Sequence, residues 1–241
     1  MAERDKPMKK TIGVVVALLL CSCVSWSATV TGVSQTWTYD PVARSGTVHI
    51  VNVSHKVITA YSIGLYVTQR DGSTFIAEEK GQEFSLTPFA PGETKDEVQV
   101  APSQTQMDSA DLNNPNNIRA EVDVVVYADD TAEVNNQQAF DNIVENRKAT
   151  LAALKTIDEV VQQTLNDPTV TDHHAAIVAE LDRLSVVAKN KNDPIGGFLD
   201  VHRSEIPQDE AELSGFIKHN EQRIAELEPH TNLKVVEAVQ P

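Results

Sequence analysis

The spacing of apolar residues changes once along this chain, and that change dictates what it can fold into. Up to Ala128 apolar side chains alternate with polar ones or fall in short β-branched runs. After Asp129-Asp130 they recur every three or four positions. A period of two places successive side chains on opposite faces of a strand, whereas a period near 3.6 draws one stripe along a helix. A chain that carries the first pattern and then the second is predicted to be α+β, strands before helices. With 241 residues, 41% of them apolar, there is enough material to bury a core.

The strand signals are local and frequent. Thr47-Val48-His49-Ile50-Val51-Asn52-Val53 follows the turn former Ser45-Gly46, and Val57 to Val67 follows a Ser54-His55-Lys56 turn. Within the second run Tyr61, Ile63, Leu65 and Val67 share one face. Asp71-Gly72 is a hairpin signal. Phe84-Ser85-Leu86 and Glu97-Val98-Gln99-Val100 flank the turn Pro91-Gly92-Glu93, and Ile118 to Tyr127 is the last strong strand. At least six short strands with no helix between them predict an antiparallel immunoglobulin-like β-sandwich over residues 28–130. It lacks the Cys…Trp…Cys core of antibody domains, so apolar packing must hold the sheets together.

Beyond the sandwich, Phe140, Ile143, Val144, Leu151, Leu154, Ile157, Val161 and Leu165 form a stripe along a helix from about Asn136 to Leu165. Asn166-Asp167-Pro168 ends it, because proline disfavours helix in the residue before it. Thr171 or Asp172 caps a second helix with the stripe Ile177, Leu181, Leu184 and Val187 or Ala188, and Asn192-Asp193-Pro194 stops that one. Phe198, Leu199 and Val201 suggest a short helical or irregular piece, and Gln208 to Glu228 a third amphipathic helix. The short connections predict a C-terminal helical bundle or hairpin over residues 131–230, with a loose tail at 231–241. These stripes are expected to face the protein's own core rather than a coiled-coil partner.

Residues 1–27 have the order of an export signal. Lys9-Lys10 precedes the apolar run Ile12 to Leu20, and Ser25 and Ser27 suit a cut after Ser27. Met8 opens the sequence MKKTIG and is an alternative start. Both cysteines, Cys21 and Cys23, lie in this segment, so the mature chain is expected to have no thiol, disulfide or cysteine-held metal. Leu20-Cys21-Ser22-Cys23 also resembles a lipobox, although Ser22 stands where Gly or Ala is usual. If Cys23 were acylated, its lipid would tether the chain to a membrane.

The stretch Val51 to Tyr61 together with Pro91-Gly92-Glu93-Thr94 resembles the small immunoglobulin-like modules of exported bacterial proteins grouped with FxLYD-type domains. Ile63-Gly64-Leu65-Tyr66-Val67 is similar to the signature, without matching it literally. The resemblance covers roughly residues 30–130. It implies a recognition or spacer unit and carries no catalytic residue over to this chain.

Chemistry-bearing motifs are sparse. Neither G-x-S-x-G, H-E-x-x-H, a P-loop nor a dinucleotide fingerprint occurs. Of the seven histidines, neighbouring His173 and His174 point about 100° apart on a helix and are expected to be polar surface residues. His49 is expected to be a hydrogen-bonded sandwich residue, and His55, His202, His219 and His230 stand apart in sequence. The loop containing Asp108, Asp111, Asn113 and Asn114 offers oxygen ligands, but without EF-hand spacing, and a solvated loop is the expectation. Asp129-Asp130 is expected to form a turn before the helices. Asn52-Val53-Ser54 matches a glycosylation sequon and is taken as incidental.

Charge narrows the partners. Thirty-five acids against 20 Lys and Arg, a balance of −15, argue against a nucleic-acid scaffold. The expectation is a non-enzymatic exported protein, an envelope or extracellular interaction module for an unknown protein partner. No catalytic, cofactor-binding or metal residue is assigned, no nucleic acid is expected, and a membrane is involved only if Cys23 is lipidated. The alternatives are a membrane-tethered lipoprotein that scaffolds an assembly, or a metal-dependent hydrolase using His49, His55 or the Asp108 loop.

Overall fold

The computed structural model describes residues 30–82, 88–100 and 110–236. The segment expected to be an export signal, with Cys21 and Cys23, Phe84-Ser85-Leu86 and Asp108 lie outside the described residues. Among the described residues eight strands form two sheets, and four helices stand between the seventh strand and the last. The smaller sheet has the order β1 (Val33–Asp40), β2 (Ser45–Asn52), β5 (Thr94–Val100). The larger has the order β4 (Thr74–Gln82), β3 (Ile58–Thr68), β6 (Ile118–Tyr127), β7 (Thr131–Val134), β8 (Lys234–Val235).

The two sheets share one apolar core. Val48 and Ile50 of β2 face Tyr61, Ile63, Leu65 and Val67 of β3 and Ile118, Ala120 and Val122 of β6, with Phe89 and Leu112 closing the rims. Each such aliphatic side chain, fully buried, contributes about 1.5–3 kcal/mol. The four β3 residues share the face that their period of two assigns them. β1 is fastened to the larger sheet by side chains. Gln35 Oε1 accepts from Val122 N (2.7 Å), Trp37 Nε1 donates to Ile118 O (3.2 Å), and Tyr39 Oη donates to Leu112 O (3.2 Å).

β6 carries a bulge that the sequence pattern does not announce. Val122 pairs with Ile63 and Val124 with Ser62, which leaves Asp123 as the extra residue. The bulge shifts parity, so Val122 and Val125 both reach the inter-sheet core while Val124 and Val126 point outward. That outer face is covered too. Ala139, Phe140 and Ile143 at the start of α1 (Gln137–Leu165) lie on Ala60, Val124, Val126 and Ala132. Being apolar on both faces is the reason β6 reads as a valine run rather than a clean alternation.

Past the sheet, the second half of α1 offers Ala153, Ile157, Val160 and Val161 to the remaining helices. Ile177 and Leu181 of α2 (His173–Asn190), Leu199 of α3 (Ile195–Arg203) and Leu213 of α4 (Glu210–Leu227) complete that core. Asn136, Asp172 and Asp209 cap α1, α2 and α4 by accepting from first-turn amides. The segment containing Phe198, Leu199 and Val201 is the regular helix α3.

Two features depart from the sequence expectation. The large sheet is mixed rather than antiparallel throughout, because β8 runs parallel to β7. The chain regains the sheet only after four helices, so it arrives from the direction that a crossover permits. The sheet also continues past the Asp129-Asp130 turn into β7, and the segment after Pro229 returns to it. Lys234 N donates to Asp130 O and Val236 N to Ala132 O, both at 2.8 Å.

Candidate functional site

The structure spreads the sequence-selected histidines over different elements and gives five of the seven a side-chain or carbonyl partner. His49 Nδ1 lies 2.5 Å from Asp96 Oδ1 across the exposed face of β2 and β5, and His55 is exposed in its turn. His173 and His174 are partly buried rather than free on the surface: His173 Nδ1 lies 2.9 Å from Glu210 Oε1, and His174 Nδ1 lies 3.0 Å from Pro207 O. His202 is buried against Glu205 (2.9 Å), whose other oxygen accepts from Arg223 (2.7 Å). His219 is exposed on α4, and His230 meets Asp130 at 2.7 Å. Asp111 and Asn114 spend a side-chain oxygen each on backbone amides of their own loop, at Asn113 and Asn116. Among the described residues no group of three His, Cys, Asp or Glu side chains converges as a metal site.

Asp129-Asp130 forms the turn its composition predicts, with Asp130 at φ 63°. Lys56 and the Thr131 hydroxyl hold the Asp129 carboxyl down to about 2. Asn52, the first residue of the sequon, is fully buried. Its amide donates to Lys56 O and Phe89 O, while its oxygen accepts from Ser54 N and Ser54 Oγ. That commitment is structural and uses its full hydrogen-bonding capacity.

Two polar recesses emerge instead, both lined by α1. The smaller, about 190 Å³, lies between the outer face of β3–β4 and α1, lined by Ser62, Glu79, Gly81, Asn142, Ile143, Glu145 and Asn146. Ser62 Oγ and Asn142 Nδ2 both donate to Glu79, at 3.3 and 3.4 Å. On the same sheet is the bulge carboxylate of Asp123, fully buried, with Oδ1 accepting from Tyr66 Oη at 2.6 Å. Its Oδ2 has no hydrogen-bond partner and overhangs Gly64. Burial raises the Asp123 pKa, Tyr66 and Asn136 oppose the rise, and Glu121 and Glu79 add to it.

The larger recess is a groove of about 420 Å³ between α1 and the α4 segment. Lys155, Asp158, Glu159 and Gln162 come from one wall, and Glu221, Ile224, Ala225 and Glu228 from the other. The spacings of three, four and seven put each set on one helical face. Lys155 pairs with Glu228 at one end (2.5 Å), and among the described residues no cation pairs with Asp158, Glu159 or Glu221. Gln162 donates to Asp158 Oδ2 (2.9 Å), but Asp158 Oδ1 is buried without a partner. Asn220 beside it is 1% exposed. Its amide nitrogen is committed to Leu154 O (2.8 Å), and its Oδ1 is also unpartnered. Burial and then Glu221 raise the Asp158 pKa, with the nearby Asn220 amide opposing.

Sequence reasoning passed over this groove. Each acidic face is readable at helical spacing, but only the pairing of α1 with the non-neighbouring α4 turns two solvated faces into one recess. Compared with known protein families, curated proteins and solved structures, the chain matches none. Among the described residues no helix is long and apolar enough to cross a membrane.

Proposed function

We propose that this chain is an exported, non-enzymatic interaction protein: an immunoglobulin-like sandwich to which a helical bundle is fused, acting in the envelope or outside the cell on a protein partner. The observation that carries the reading is the fastening of the chain just past the expected cut after Ser27. Val30 is buried in the inter-sheet core, and the amides of Thr31 and Gly32 both donate to Glu133 Oε2 (2.5 and 3.0 Å). A chain cut after Ser27 would keep this anchorage, which lies within a few residues of its new N-terminus.

Two further observations support the reading. The pairs β2–β5 and β3–β6 in two facing sheets suit an immunoglobulin-like strand order. His49, His202 and His230 are each engaged by a carboxylate on a different element, an arrangement that suits holding a shape.

The test is expression of the full chain with its own leader in a bacterial host, followed by fractionation and intact-mass measurement. A mature chain beginning at Ala28 in the envelope fraction supports the proposal. An acylated Cys23 replaces it with the tethered lipoprotein. A cytosolic protein that retains residues 1–27 overturns it. A pull-down from envelope extract with the mature protein then identifies the partner.

A further inference from the structure

We infer that the open edge of β4 binds an extended segment of a partner protein by strand addition, one that carries an apolar side chain and, four positions on, a Lys or Arg. The inference rests on the protein-binding part of the reading above and not on export. Three features lead there.

The first is unpaired main chain. β4 runs nine residues, and among the described residues β3 is the one strand that pairs with it. Gln69 N donates to Ser73 O (2.7 Å), so Gln69 and Ser73 form a hydrogen-bonded pair. Such pairs alternate along an antiparallel ladder, which turns the amides and carbonyls of Thr74 and Ile76 away from β3. A row of outward main-chain groups is a template for another strand. The other sheet edges are less open. β8 has two residues, side chains of β1 bond to Val122 N, Ile118 O and Leu112 O, and Lys80 donates to Val98 O of β5.

The second feature is what lies beside that edge. Ile76, 40% exposed, pairs with Tyr66, and past the register shift at Leu65/Tyr66 the same outer face continues through Glu79 and Gly81. Gly81 lines the polar recess of about 190 Å³, and a Cβ there would meet nothing closer than 3.6 Å, so the recess is clear on the β4 side. Glu79 and Glu145 line it too, and among the described residues no cation pairs with either. Ser62 Oγ and Asn142 Nδ2 donate to Glu79 at 3.3 and 3.4 Å, which orients the carboxylate and leaves it acceptor capacity for an ammonium or guanidinium. An added strand sets alternate side chains on this face, so a residue four positions from the one above Ile76 stands about 14 Å away. That is level with the stretch between Glu79 and Gly81.

The third feature selects the occupant. A second copy of the chain would bring its own Glu79 and Glu145 to the same edge, and like charges set opposite one another are destabilising. A basic segment meets the same carboxylates with the complementary sign, and the chain's balance of −15 favours its approach.

The test is fluorescence anisotropy of the labelled peptide acetyl-TVTVTKT-amide titrated with the mature protein, together with amide exchange of the complex. Saturable binding is expected, with exchange slowed at Thr74 and Ile76 and unchanged along β1 and β5. N-methylation of one alternate set of peptide amides should abolish binding, and N-methylation of the other set should spare it. The peptide TVTVTET should bind about tenfold more weakly. Glu79→Gln combined with Glu145→Gln should erase that preference for lysine, whereas Glu212→Gln, on an exposed position of α4, should leave it unchanged. The inference is overturned by absence of saturable binding, by equal effects of the two N-methylated sets, by protection at another edge, or by sedimentation showing that the protein pairs with itself through β4. Because purified protein is used, failure here leaves the fractionation result for the leader standing, and a cytosolic chain would leave this result standing.

Discussion

The buried guanidinium of Arg147, in the first half of α1, donates through Nη1 to the carbonyl oxygen of His230, 83 residues further along the chain. That contact pins the segment after α4 against the helix that lies on the sheet, and it is the step before β8 joins β7. His230 in turn meets Asp130, and the Asp130 carbonyl accepts from Lys234 N. Replacing Arg147 by Met keeps most of the volume and removes the donor. The expected cost is about 1–3 kcal/mol in urea unfolding, because the His230 carbonyl loses a charged partner. Amide exchange at Lys234 and Val236 should accelerate before that of β3 or β6.

Glu133 is the second fastening. Burial alone would raise its carboxyl, but the Tyr127 phenol and the donors of Gly32 and Thr31 outweigh that and hold it below the ordinary glutamate range. A carboxyl lowered by folding stabilises the protein above its unfolded pKa and loses that contribution as pH falls through the folded value. Stability should therefore decline in acid below the ordinary glutamate pKa. Glu133→Gln should flatten that part of the profile in urea titrations from pH 3 to 7 (about the range where carboxylates titrate).

Gly32 belongs to the same clasp. A Cβ there would stand 1.7 Å from Tyr127 Oη. Gly32→Ala is expected to lower stability by about 1–3 kcal/mol through overpacking. Combined with Tyr127→Phe, which removes the obstructing oxygen, it should cost less than the two single changes summed. Strict additivity in the thermal melts would refute the contact.

Asp123 predicts the opposite pH sign. Its carboxyl is raised, chiefly by burial, so the folded state holds the proton more tightly than the unfolded chain. Its contribution falls as pH rises from the ordinary aspartate range through the raised value. The difference in stability between wild type and Asp123→Asn should carry that slope and level off above it. Gly64→Ala, whose new carbon would meet Asp123 Oδ2 at 2.3 Å and the Tyr66 ring at 2.8 Å, should cost about 1–3 kcal/mol.

The junction between strands and helices offers no linker to cut. Ala132, Ala139 and Phe140 are buried between β6 and α1. Limited proteolysis should spare residues 129–140, and thermal unfolding should show one transition rather than a separate helical melt. Early cleavage in that window would show that the two halves fold apart.

What the sequence disclosed follows from how locally each element is specified. β2 and β3 carry their own period, β6 is a β-branched run, and α1, α2 and α4 carry apolar stripes, the first two ended by Asn-Asp-Pro, so these elements were legible. β8 was not. Two residues have no period, and only β7 makes Lys234 and Val235 a strand. The parity change at Asp123 was hidden because a valine run looks the same with or without a bulge. The groove was hidden for a related reason: Asp158 and Glu221 are unremarkable solvated acids until two helices, separated in sequence by α2 and α3, are laid side by side. Histidine spacing was uninformative because partners such as Asp96 for His49 and Asp130 for His230 come from elements distant in sequence.

The return of β8 to β7 has a mechanical consequence. Gly32 is held by Glu133, and Val236 is held by Ala132, one position away on the same short strand. Tension applied between Val30 and Val236 would be borne first by β7 and its contacts. α1 to α4 lie outside the load path as a slack loop that extends only after β8 shears free.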